Sequence, residues 1–198
     1  MTRGGTILVL TNSSDLREEE IMMRMVKNLL KLVIMSLIVM GLSVPVLAKD
    51  KFELELEKDV EAVKLVRDTK AGGYEVISAE ELKKLVDSKK EILIVDTMPY
   101  EDSYKKEHVP GAKQFLFPIP IMANWDAKET GGKSMDDFVA FLGPNKDKTI
   151  VFYCGFVKCT RSHNGAAFAK QLGYKNVYRF PGGIFAWKGA DYPVEKLK

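Results

Sequence analysis

The chain has 198 residues, 46% hydrophobic and 29% charged, with a formal net charge of +3. That balance suits one globular domain and excludes a disordered or fibrous chain. Lys and Arg are spread along the sequence without a basic stripe, so no nucleic-acid partner is expected.

The first recognisable element is a leader. Leu32 to Ala48 is an apolar run, preceded by Lys27 and Lys31, that closes on Val46-Leu47-Ala48 before the polar Lys49-Asp50. A basic stretch, a short apolar core and an A-x-A-like end read as a secretory signal peptide over residues 25–48. A retained inner-membrane anchor is the alternative. The run is short for a span of about 20 residues, and Pro45 near its end favours cleavage. The mature protein is therefore expected in the periplasm or otherwise exported, touching a membrane only through this segment if it stays uncleaved. Residues 1–24 are expected to be a mis-assigned extension. Met22, Met23 and Met25 offer better starts, and Arg17-Glu18-Glu19-Glu20 can be written in almost wholly purine codons, as a ribosome-binding site would be.

Residues 49–72 form a helical extension, with helical spacing from Asp59 to Asp68 and a stop at Gly72-Gly73. Tyr74–Ile77 reads as a short strand. Ser78 caps a helix over 79–89, with Glu81 three residues on as a capping box. Glu91–Asp96 is a continuous apolar run ending in a carboxylate, as in a strand buried on both faces. Residues 97–134 read as loop, with a turn at Pro110-Gly111. A helix follows over 134–142, then a second buried strand over 148–154 and a helix over 162–172 whose small residues suit close approach to a sheet. Asn176–Phe180 is another strand, and 184–188 a last helical turn. Strands alternating with helices imply βαβ units and a mostly parallel sheet covered on both faces. A domain of this size buries roughly 70% of its unfolded surface, so it needs no disulfide staples.

In open α/β sheets the chemistry lies beyond the carboxyl ends of the strands. Cys154 leaves the strand at that end, and Gly155, Phe156, Val157, Lys158, Cys159, Thr160 and Arg161 lead from it into a helix near Ser162. Amides curling toward a loop centre, with the positive end of a helix, stabilise an anion and hold a thiol as thiolate. Cys154 is thus the candidate nucleophile and residues 155–161 the candidate substrate-binding loop, Lys158 and Arg161 adding charge for an anionic substrate. The bland alternative for Cys154 is an inert core cysteine. Cys159 has several readings: a loop residue, a redox partner closing a disulfide with Cys154, or the nucleophile itself. Cys154, Cys159 and His163 form a C-x4-C-x3-H string without an obvious fourth ligand, so no metal is expected.

The segment Tyr153-Cys154 to Arg161-Ser162, before an Ala-rich helix, resembles the active-site loop of the rhodanese family. Two further stretches agree: Asp96 with Tyr104 and His108-Val-Pro-Gly-Ala112, and Gly182-Gly183 to Trp187 with Tyr192-Pro193-Val194. The similarity covers residues 73–198 and implies a single rhodanese-like α/β domain, with a central, mostly parallel five-stranded sheet and helices on both faces. It implies a sulfurtransferase that moves a sulfane sulfur from thiosulfate, polysulfide or persulfide, through a Cys154 persulfide, to a thiol or cyanide. No cofactor is expected; the partners are a small sulfur-containing anion or thiol and a sulfur-acceptor protein. A non-catalytic persulfide carrier in the cell envelope is the alternative, and a phosphatase or arsenate-type enzyme a more distant one. The resemblance makes His108 a turn residue, Trp187 and Gly182-Gly183 packing residues, and Asp96 an anchor for the loop that follows it. Trp125 is a candidate pocket wall. Two departures stand out. Met98 occupies a position where the family usually has Arg, and Ser162 lies eight positions after Cys154 where six is usual.

Overall fold

The computed structural model describes residues 13–41, 49–88 and 90–197. The chain divides into two compact units, Met1–Asp50 and Lys51–Lys198. The first holds helix α1, Ser13–Gly41. The expected cleavage residues 46–48 lie outside the described residues. Among the described residues, no helix is long and apolar enough to cross a membrane.

The second unit opens with α2, Lys51–Gly72, which is much longer than the 59–68 segment whose spacing announces it. Then come β1 (Glu75–Val76), α3 (Ala79–Asp87), β2 (Ile92–Asp96), a π-helical turn at Tyr100–Tyr104 and β3 (Lys113–Gln114). They are followed by α4 (Met135–Leu142), β4 (Thr149–Tyr153), α5 (Arg161–Gln171), β5 (Asn176–Phe180) and α6 (Gly183–Gly189). The five strands form one sheet in the order β1-β5-β4-β2-β3, every pair parallel. The fifth strand, β3, lies inside the stretch that reads as loop. Two residues paired with Val95 and Asp96 at the sheet edge are too few to show a period.

The apolar runs of β2 and β4 divide between the two faces because successive side chains alternate. Leu93, Val95, Ile150 and Phe152 join Phe138 and Leu142 of α4 and Phe168 and Ala169 of α5 in one cluster. Ile94, Val151 and Tyr153 join Leu82 of α3 and Trp187 of α6 in the other. Helix α5 comes close to the sheet at Gly165, where a Cβ would sit 2.7 Å from the Phe152 ring. Helix α2 packs on α5. The capping box of α3 is present as read, Ser78 Oγ accepting from the Glu81 N–H and Glu81 from the Ser78 N–H.

Strands β2 and β4 end side by side, Asp96 opposite Tyr153. The buried Asp96 carboxylate accepts from the Tyr153 hydroxyl at 2.7 Å and from the Met98 N–H at 2.9 Å. Tyr153 in turn accepts from the Val109 N–H. Burial pushes the Asp96 carboxyl up to about 6, against the pull of those hydrogen bonds. His108 is buried, with Nδ1 2.8 Å from the Tyr104 carbonyl, and its backbone pairs with Glu195. Both residues hold the loops that surround the strand ends.

Candidate active site

The loop from Cys154 to Thr160 starts at the end of β4 and runs into α5. Its base is fixed by the first turn of α6. The Ile184 and Phe185 N–H groups donate to the carbonyls of Cys154 and Gly155 at 2.9 and 3.0 Å. This close approach needs glycine at position 183. Its φ is +57°, and a Cβ there would lie 2.1 Å from the Cys154 carbonyl oxygen.

Cys154 does not occupy the loop centre. It belongs to the core cluster under α6 and has 0% exposure. Its sulfur lies 3.3 Å from the Cys159 carbonyl oxygen and 3.3 Å from Ser162 Oγ. Burial, reinforced by the neighbouring Cys159, pushes its thiol well above the ordinary value. The sequence expectation was a thiolate at Cys154; the structure places that residue at a strand end still inside the core, with Cys159 five positions further along the loop.

Cys159 occupies that centre. It is half-buried and sits two residues before the first residue of α5. The hydrogen bond from the Cys154 thiol does most to lower its pKa. The N–H groups of Arg161 and Gly155 and the Arg161 charge assist, bringing the thiol down to about 6 despite partial burial. Both cysteines are free thiols.

Cys159 lines a pocket of about 480 Å³. Its walls are Met98 and Pro99 after β2, Ile119, Phe156 of the loop, and Ile184 and Phe185 of α6. Lys158 and Arg161 also line it, and each has a partner within the protein. Lys158 Nζ is 3.1 Å from Glu61 of α2, and the Arg161 guanidinium donates to the Phe117 carbonyl. Thr160 is buried, and its carbonyl accepts from the Asn164 N–H inside α5. Val157 turns its carbonyl inward. Trp125, partly buried, packs against the core cluster at Phe138 and is not among the residues that line this pocket. His163 faces away from the cysteines' chemistry, with Nδ1 2.8 Å from the Tyr74 hydroxyl.

Behind the loop lies a residue the sequence reading missed. Arg179 of β5 has 0% exposure, and every branch of its guanidinium is engaged. Nη2 donates to the carbonyls of Val157 (3.2 Å) and Cys159 (2.9 Å), and Nε to Ser162 Oγ at 3.0 Å. Nη1 pairs with Asp68 of α2 at 3.2 Å. The signal was available: a lone Arg in the apolar strand Asn176–Phe180 must find a partner if buried.

The rhodanese-like domain profile matches residues 78–190. The tRNA uridine(34) hydroxylase of Buchnera aphidicola subsp. Baizongia pistaciae is 28% identical over 122 residues, which are 61% of this chain and 34% of that protein, so the chain spans about a third of that relative. The thiosulfate sulfurtransferase structure from Pseudomonas aeruginosa superposes with a TM-score of 0.48 at 19% identity, over 70% of this chain and 23% of that one. The polysulfide-sulfur transferase homodimer from Wolinella succinogenes gives 0.48 at 18% identity, over 70% and 91%. With the parallel five-stranded sheet, the cysteine loop beyond β4 and a profile match over more than half its length, the chain belongs to the rhodanese-like domain family.

Proposed function

We propose that the domain is a sulfurtransferase whose sulfur-carrying residue is Cys159. The observation behind this is the placing of the two thiols: Cys159 lines the pocket with two loop N–H groups and a lowered pKa, and Cys154 is fully buried. The Cys159 thiolate attacks the outer sulfur of a thiosulfate, polysulfide or persulfide donor. A new S–S bond forms to Cys159 as the donor's own S–S (or S–SO₃) bond breaks, and the donor leaves with that electron pair as thiolate or sulfite. The Gly155 and Arg161 amides face the anion that results, and Cys154 supplies a hydrogen bond from behind. An acceptor thiolate or cyanide then takes the outer sulfur and regenerates Cys159.

The test is persulfide loading followed by intact mass and peptide mapping. Cys159→Ser should lose loading by at least a hundredfold, and Cys154→Ser should still load. Alkylation of Cys159 should rise with pH to half its plateau near pH 6 and fall away below it, because only the thiolate reacts. Loading of Cys154 in the Cys159→Ser variant would reverse the assignment. Turnover with donor and acceptor separates an enzyme from a carrier that accepts one sulfur and stops. Export is part of the reading: leader removal at Ala48 would give a mature protein beginning at Lys49, which N-terminal sequencing from the native host tests.

A further inference from the structure

We propose that the pocket over Cys159 selects an organic persulfide with an apolar body over a small oxyanion such as thiosulfate; this rests on the sulfur-transfer reading above. Six of the residues around the sulfur are apolar: Met98, Pro99, Ile119, Phe156, Ile184 and Phe185. Phe156 and Phe185 stack with ring centroids 5.5 Å apart, and they stay 46% and 63% exposed. Ile119 opposite is 58% exposed. The polar side chains that reach the pocket already have partners within the protein. The Ser103 hydroxyl donates to Met98 Sδ at 3.2 Å, Lys158 pairs with Glu61 and Arg161 donates to Phe117.

The thiosulfate dianion entering here would give up water against thioether, proline and phenyl surfaces. An alkyl or aryl persulfide would lay its carbon body along the same surfaces and bring its outer sulfur to the loop amides at Cys159. The size agrees. About 480 Å³ lies in the range of roughly 300–1,000 Å³ typical of organic-ligand sites, far more than a five-atom anion fills. The step balances: the Cys159 thiolate and R–S–SH give Cys159–S–SH and R–S⁻. The donor's S–S bond breaks, the outer sulfur keeps its proton, and the leaving thiolate R–S⁻ takes the electron pair.

The experiment uses the full chain and three donors with the same reacting group: benzyl, 2-hydroxyethyl and 2-sulfoethyl persulfide. Each loading rate is normalised to that donor's reaction with a small free thiol. The normalised kcat/KM should be at least tenfold higher for the benzyl donor than for the sulfoethyl donor, with hydroxyethyl between. Phe185→Ser and Ile119→Ser should each narrow that ratio at least threefold. Equal or reversed ranking, or a ratio that neither substitution moves, overturns the proposal and leaves sulfur transfer standing. No loading of Cys159 by these donors or by thiosulfate overturns the sulfur-transfer reading itself, and the proposal with it.

Discussion

The two sides of the cysteine loop are built from opposite materials. The inner side is polar and sealed: Arg179, Asp68, Ser162 and the carbonyls of Val157 and Cys159 bond one another without exposure of the guanidinium. The outer side is apolar and open, with Phe156, Phe185 and Ile119 facing solvent over the same loop. Hydrogen bonds are directional, so a network of them holds a loop in one shape. Apolar surface is not directional, so it accepts any body of fitting size. The loop is held from behind and left free for an occupant in front. Asp68 lies outside the family match of 78–190, so part of what holds the loop comes from α2 and not from the shared domain.

The largest effect should come from breaking the inner side. Arg179→Met takes the donor from the Val157 carbonyl and leaves the buried Asp68 carboxylate with Lys64 as its remaining ionic partner. Removing one partner of a buried pair costs about 3–5 kcal/mol, readable by urea unfolding. Adding Asp68→Leu to Arg179→Met should recover much of that loss, since no buried carboxylate is left short of a partner and Lys64, 36% exposed, turns to solvent. A loss under about 1 kcal/mol for the single variant would show that the cluster does not hold the loop. Next in size is Gly183→Ala. The left-handed backbone and the contact with the Cys154 carbonyl predict a loss of about 2–3 kcal/mol. The alkylation midpoint of Cys159 should move up with it, as the base of the loop shifts.

Much of this frame was legible beforehand, because it rests on local signals. The apolar runs of β2 and β4 show their burial directly, and Ser78 with Glu81 announces the start of α3. Where local signals thin out, the reading fails. β3 has only two residues, too few to show a period. The site was legible as a segment but not in its depth. Spacing places Cys154 at a strand end, yet it cannot say that this end is still inside the core, or that the eight-position gap to Ser162 moves the loop centre to Cys159. The Asp68–Arg179 pair joins residues 111 positions apart, which no local pattern links. Ile119 and Phe185 line one pocket with Cys159 for the same non-local reason.

The smallest expected effect lies at the one point where the two sides exchange charge. Lys158, half exposed at the rim, is 3.1 Å from Glu61 of α2. An exposed pair of this kind contributes about 0–0.5 kcal/mol, so Glu61→Gln should leave unfolding almost unchanged. Its consequence should appear at the mouth instead. With its counter-charge gone, Lys158 presents an uncompensated ammonium within a few ångströms of the pocket, and anionic donors should gain. At low ionic strength KM for 2-sulfoethyl persulfide should fall about twofold and that for benzyl persulfide should hold, because only the former carries charge outside the reacting sulfur. Added salt should erase the difference, since the Debye length shrinks to about 8 Å at 0.15 M. A gain of the same size for both donors would mean that Glu61→Gln had opened the loop, and that the pairing with α2 fixes shape at the rim as well as charge.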